Sequence, residues 1–149
     1  MDKPMPMSIS DMDGVSEAII TLVSKYPDLP FKAKESTVQW QSLPEEGIGM
    51  FTESGAVYLK RYIGGSFVGQ LPFQIMYRVK PTNNKARLNS QKVLEGLTRW
   101  LETCTASFKD NSLQIRDITR STPVTKLQAE NGGDELYVCS MNVQYFSRN

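Results

Sequence analysis

The residues with the most chemical promise lie in "SDMDGVS", Ser10 to Ser16. Asp11, Asp13 and Gly14 spell D-x-D-G-V, a pattern in which one aspartate can attack phosphorus while the other acts as acid and base. Such a site needs an apolar strand to deliver the first aspartate to a sheet edge. Here the preceding residues, "MPMSIS", are polar and broken by proline, and the following ones turn at once to helical spacing. The pair therefore reads as carboxylates at a helix start, where the dipole favours them. A calcium loop fails too, because Gly14 comes early and loop position twelve falls on Leu22.

A second candidate is "YIGGSFVGQLPF", Tyr62 to Phe73. A phosphate loop G-x-x-x-x-G-K-[ST] starting at Gly64 would reach Gly69 correctly, but Gln70 and Leu71 stand where lysine and a hydroxyl belong. G-x-G-x-x-G fails at Ser66. The chain then runs on as a strand, so no helix N-terminus follows to receive an anion. A hairpin with Gly64 and Gly65 at its turn, both at positive φ, is the expectation.

The remaining reactive groups are sparse. The chain has no histidine, which removes the commonest general base and neutral metal ligand. Cys104 and Cys139 are far apart without a C-x-x-C spacing, and each falls at an apolar position of a periodic segment. They read as buried free thiols of a reducing compartment. Glu45 and Glu46 follow a proline with no partner carboxylate indicated. Lys60, Arg61 and Arg78, with Tyr58, Tyr62 and Tyr77 close in sequence, read as a solvated strand face in preference to a single-strand nucleic-acid platform. The expectation is a protein that is not an enzyme and holds no cofactor or metal.

Composition agrees with an ordinary globular domain. There are 149 residues, 40% hydrophobic and 22% charged, with a net charge of +1. One core is expected at this length, with no global field to attract nucleic acid or membrane. "MDKPMPMSIS" lacks the apolar stretch of a secretory signal, and nothing approaches a transmembrane span. Synthesis and folding in a cytoplasm are expected.

The elements that would position these residues follow from periodicity. Val15, Ala18, Ile19, Leu22, Val23 and Tyr26 recur at helical spacing until Pro27. Residues 1–12 read as a loose arm, and residues 13–149 as a single domain. Ser36 to Gln41 reads as a short strand, and residues 43–55 as a loop with a short extended piece. Ala56 to Ile63 and Ser66 to Val79 read as strands. Phe67, Leu71, Phe73, Ile75, Tyr77 and Val79 share one face of the second strand, and Pro72 points to a sheet edge or a bulge. After the breaker "PTNNK", Val93, Leu94, Leu97, Trp100, Leu101 and Cys104 mark a second helix over about Arg87 to Thr105, with Gly96 a blemish worth ~1 kcal/mol. Leu113 and Ile115 begin another strand, with Val124 to Gln128 continuing or following it. The "AENGGDE" turn introduces a last strand from Leu136 to Phe146, with Tyr137, Cys139, Met141, Val143 and Tyr145 on one face. The order predicts an α+β fold: an antiparallel β-sheet with two main helices packed on one face.

In this order and spacing the chain resembles the minor capsid and tail-completion proteins of long-tailed bacteriophages. The similarity runs from about residue 15 to residue 147. It is carried by "YPDLPF", by Val38-Gln39-Trp40, and by "VYLKRYIGGSFVGQLPFQIMYR", which is similar to K-x-Y-x-x-G-[ST]-x-x-x-x-x-F-x-x-x-x-R at Lys60, Tyr62, Gly65, Ser66, Phe73 and Arg78. "LTRWLE", with Trp100 and Leu101, and "NVQYFS", with Tyr145 and Phe146, complete it. The segments 1–12 and 43–55 lie outside the pattern.

The resemblance implies a tail terminator at the head–tail junction of a virion, assembled in a bacterial host cytoplasm, with another head–tail connector or minor capsid completion protein, or a phage assembly factor, as the alternative. Its implied partners are copies of itself in a ring, commonly a hexamer, together with the tail tube protein and the head–tail connector. Neither a membrane nor sequence-specific nucleic acid is implied. Tyr62, Gly64, Gly65, Ser66, Glu45 and Glu46 are the expected interface residues.

Overall fold

The computed structural model describes residues 9–53, 58–81, 83–104, 106–107, 113–127 and 134–147. Among the described residues two helices and eight strands form one α+β unit. In chain order they are α1 (Ile9–Ser24), β1 (Val38–Trp40), β2 (Gly47–Thr52), β3 (Tyr58–Arg61), β4 (Phe67–Val79), α2 (Asn84–Leu101), β5 (Ala106–Ser107), β6 (Leu113–Arg120), β7 (Thr125–Leu127) and β8 (Glu135–Ser147).

The sheet is built on β4 and β8. Each is 13 residues long, and they pair antiparallel without a break from Phe67↔Ser147 to Val79↔Glu135. Alternation along β4, and along β8 from Cys139 onward, matches this pairing, because a period of two puts every second side chain on one face. Phe67, Phe73 and Ile75 of β4, and Cys139, Met141, Val143 and Tyr145 of β8, all lie at 1% exposure or less. Both helices cover that face in a single hydrophobic core. α1 contributes Val15, Ala18, Ile19 and Val23, and α2 contributes Leu94, Leu97 and Leu101.

Each outer edge of this ribbon is shared by two short strands. β2 lies against the C-terminal half of β4, and β3 against its N-terminal end. β6 and β7 divide the edge of β8 in the same way. Ile115 and Ile118 of β6 both reach the core although three positions apart. A bulge between Ile115 and Asp117 supplies the extra residue that brings the second isoleucine round.

Several expectations need correction. α1 begins at Ile9, so residues 9–12 belong to the helix and not to a loose arm. Asp11 and Asp13 sit on helical backbone and do not leave a strand, which is the placement the D-x-D-G-V chemistry requires. Residues 1–8 lie outside the described residues, as do 129–133 of the "AENGGDE" turn. β7 and β8 nevertheless pair antiparallel across it. α2 spans Asn84–Leu101, earlier at both ends than expected. "PTNNK" is less a breaker than a cap, because the Asn83 side chain accepts the Ala86 amide at 2.8 Å.

Pro72 is neither on an edge nor in a bulge. It sits in the central strand β4 opposite Asn142. Its carbonyl accepts from the Glu53 amide at 2.9 Å. A strand residue turns its nitrogen and carbonyl to the same neighbour, so the missing donor faces the point where β2 ends. No bond to β8 is lost.

The largest correction concerns residues 43–55. Gly47–Thr52 is a full strand, with Ile48 and Met50 at 0% exposure. Its other neighbour is β1, paired parallel from Val38↔Ile48 to Trp40↔Met50, whereas the other pairs among the described strands are antiparallel. Parallel neighbours need a crossover, ordinarily of a dozen residues or more. Here only residues 41–46 make it, and they lie on the face away from the helices. Gln41 starts the turn at φ +58, with its amide bonded to the Met50 carbonyl and its side chain bonded to Thr52. The Ser42 carbonyl and Leu43 press on Gly49, and the Pro44 carbonyl accepts from Arg78 at 3.3 Å. Gly49 is the clearance under that crossover, and Gly47 is the clearance beside the Thr37 carbonyl that leads into β1.

Candidate interaction surface

The Tyr62–Ser66 turn joins β3 to β4. Tyr62 donates its amide to the Ser66 carbonyl at 2.9 Å, and Gly65 donates to the Tyr62 carbonyl at 3.0 Å. The two central residues are therefore Ile63 and Gly64. Only Gly65 has a positive φ, at +97, contrary to the expectation of a Gly64-Gly65 turn with both positive. This is the three-residue hairpin loop in which an ordinary turn is followed by one left-handed residue. Gly65 carries the conformational demand, whereas a side chain added at Gly64 would meet nothing within 4 Å.

Below the turn the hairpin is well anchored. Tyr58 packs edge-on to Phe67 at 5.0 Å with the Arg61 guanidinium 4.6 Å over its ring. Tyr62 meets Phe146 at 6.4 Å, and Lys60 and Arg116 lie over these two rings. At the tip Ile63 is fully exposed, and within the base Leu59 of β3 and Tyr62 remain 47% and 41% exposed.

Glu45 and Glu46 are exposed but belong to the opposite end of the sheet, beside Gly47, which pairs with Arg78. Eleven residues of β4 separate them from the turn, roughly 35 Å at strand rise. The structure thus brings Tyr62, Gly64, Gly65 and Ser66 together and leaves the two glutamates apart. Burial, with a smaller push from Glu46, raises the Tyr77 hydroxyl to about 12. The same distance divides Lys60 and Arg61 from Arg78, and Tyr77 points into the core, so these residues do not form one basic patch.

The main charge cluster was not foreseen. Glu135 is 4% exposed at the start of β8. Its carboxylate accepts from Arg87 Nε at 2.8 Å and from the Tyr137 hydroxyl at 3.4 Å, and pairs with Lys126 Nζ at 3.1 Å. Asp134 beside it lies 3.9 Å from both Arg78 and Lys80. The sequence signal is an acidic pair immediately before an apolar strand, but its partners come from α2, β7 and the end of β4.

The Arg87 hydrogen bond, aided by Lys126, holds Glu135 below the usual carboxylate range. A depressed folded pKa adds stability above the unfolded value near 4.3, and that stability is lost as pH falls through the lower folded value. Glu135→Gln is therefore expected to lower the urea midpoint at pH 7, with the gap to the wild type shrinking below about pH 4. A gap that is constant with pH would show that the ion pairs contribute nothing.

Both cysteines are free thiols, Cys139 buried and Cys104 half-buried, and burial raises both above their ordinary value. Among the described residues no group of three or more Cys, Asp or Glu side chains could hold a metal ion, and no helix is long and apolar enough to cross a membrane.

No protein-family model matches the chain, and no curated protein is similar to it. One solved structure shares 13% identity over 93% of this chain and 96% of its own, with a TM-score of 0.42. That likeness is too slight to bear on function.

Proposed function

We propose that this protein is a non-enzymatic structural subunit of a long-tailed bacteriophage. In this reading it is a tail terminator that assembles with its own copies into a ring at the head-proximal end of the tail tube, stops tube growth and docks to the head connector. The virion is its location. The observation that carries the reading is the bare hairpin tip. Ile63 is fully exposed at the turn, and Leu59 and Tyr62 stay largely uncovered beside it although Tyr62 meets Phe146. Such a cluster suits a protein contact. The order of motifs through Lys60, Tyr62, Phe73, Arg78 and Trp100 points to the phage tail-completion proteins as the setting.

The test is the mass in solution, alone and mixed with tail tube protein. The expected result is an assembly larger than one chain that binds the tube end and halts its elongation. A protein that stays monomeric and binds neither tube nor connector would overturn the reading. Asp11→Asn is expected to leave assembly unchanged.

A further inference from the structure

The cations carried by the strands divide by position. Arg78 of β4, Arg120 of β6 and Lys126 of β7 each pair with a carboxylate of the same subunit. Lys60 and Arg61 of β3 and Arg116 of β6 are exposed at the hairpin end, and among the described residues they pair with none. Asp117, the carboxylate beside Arg116, stays out of ion pairs as well. Each of the three cations is held over a ring: Lys60 over Tyr62, Arg61 over Tyr58 and Arg116 over Phe146. Beside them, the outer edge of β3 carries no strand among the described residues.

We infer that this edge receives an extended, acidic segment of a partner protein, which adds to the sheet as a further strand beside β3. The inference rests on the proposed function, in which the hairpin is a protein contact. Three observations select that occupant. The first is charge. Lys60 and Arg61 are consecutive in the ladder, opposite Val68 and Phe67, and so point to opposite faces. Two adjacent carboxylates on an added strand would stand opposite both, as the cross-strand pairs that stabilise a sheet. The second is apolar surface. Leu59 and Ile63 are uncovered on either side of the two cations, which suits a polypeptide and gives a phosphate backbone nothing to bury. Tyr58, Tyr62 and Phe146 already carry a cation on one face, so they are poor platforms for stacked bases. The third is repulsion. The β3 of a second copy would bring Lys60 and Arg61 against like charges, and edge cations resist that pairing.

An NMR titration of the isotope-labelled full chain tests this. The probe is a short peptide of valine and threonine carrying two adjacent glutamates, with its glutamine version as control. The glutamate peptide is expected to shift the amides of Tyr58 to Ile63 and to bind about tenfold more tightly than the control. Raising the salt should erode that difference. Lys60→Glu combined with Arg61→Glu, at two exposed sites, is expected to melt like the wild type and to lose the preference for glutamate. Equal binding of the two peptides, shifts confined to other residues, or no binding at all would overturn the inference while leaving the proposed function standing. An oligothymidylate that shifts these amides when the peptide does not would overturn it in favour of nucleic acid. Shifts at β3 on concentrating the protein alone would overturn it in favour of a second copy. A chain that takes the glutamate peptide at β3, yet neither assembles nor binds tail tube protein, would support the inference and overturn the proposed function.

Discussion

Replacing Gly47 by alanine is expected to destabilise the fold by about 3 kcal/mol, one of the two largest single-site effects anticipated here. Gly47 has φ +132, a conformation that costs an L-residue about 1–3 kcal/mol. The added Cβ would also fall on the carbonyl oxygen of Thr37. That oxygen cannot retreat freely, because it accepts the Ile48 amide at 2.8 Å and so opens the β1–β2 ladder. Alanine stiffens the unfolded chain and returns about 0.4–1 kcal/mol, too little to change the sign. A urea titration should show a lower midpoint with an unchanged slope. An equal midpoint would mean that β1 and its crossover are not held against β2 as described.

Gly69→Ala is the second large effect, expected to cost about 2–3 kcal/mol by overpacking. Gly69 lies opposite Tyr145 in the β4–β8 ladder, on the helix-covered face. Its Cβ would stand 2.6 Å from Tyr145 Cζ and 2.7 Å from the hydroxyl. The ring is 1% exposed and packs edge-on to Phe67 at 6.1 Å, so it has nowhere to swing. Glycine here leaves room for an aromatic ring lying across the strand, a cross-strand pairing that offsets the weak strand propensity of glycine itself. Gly96→Ala makes a useful contrast. Its Cβ would meet only the tip of Tyr26, 2.5 Å away, and Tyr26 is half-buried on Trp100. The gain in helix propensity opposes that clash, so its effect should be the smaller of the two. Thermal melts of the two variants side by side check the order, and a Gly69 variant as stable as the wild type would require Tyr145 to leave the core.

Much of the frame could be read directly from residues. Alternation in Phe67–Val79 and Leu136–Phe146 named the buried face of the two central strands correctly, because a half-buried strand writes its burial at every second position. The helical spacing of Val15, Ala18, Ile19 and Val23 did the same for α1. β2 was not legible as a strand. "GIGMFT" shows no polar alternation, because glycine holds the outward positions where polar side chains would mark a solvated face. The candidate interface was half legible. The turn from Tyr62 to Ser66 was visible as a glycine cluster, but its phase was not, since adjacent glycines do not reveal which one takes the positive φ. Glu45 and Glu46 stood near the hairpin only in sequence.

Local pattern alone therefore determined the fold class, the two central strands, the helix over Val15 to Val23 and the presence of a hairpin at Gly64-Gly65. These depend on the period of apolar residues and on turn chemistry within a few positions. Tertiary structure decided what each glycine is for and where Glu135 finds its cations. Gly47 answers to Thr37, Gly49 to Ser42, Gly69 to Tyr145 and Glu135 to Arg87 and Lys126. Clearance and charge pairing are set by distances between residues that strand register and crossover bring together, and that register is not written in either partner's own neighbourhood.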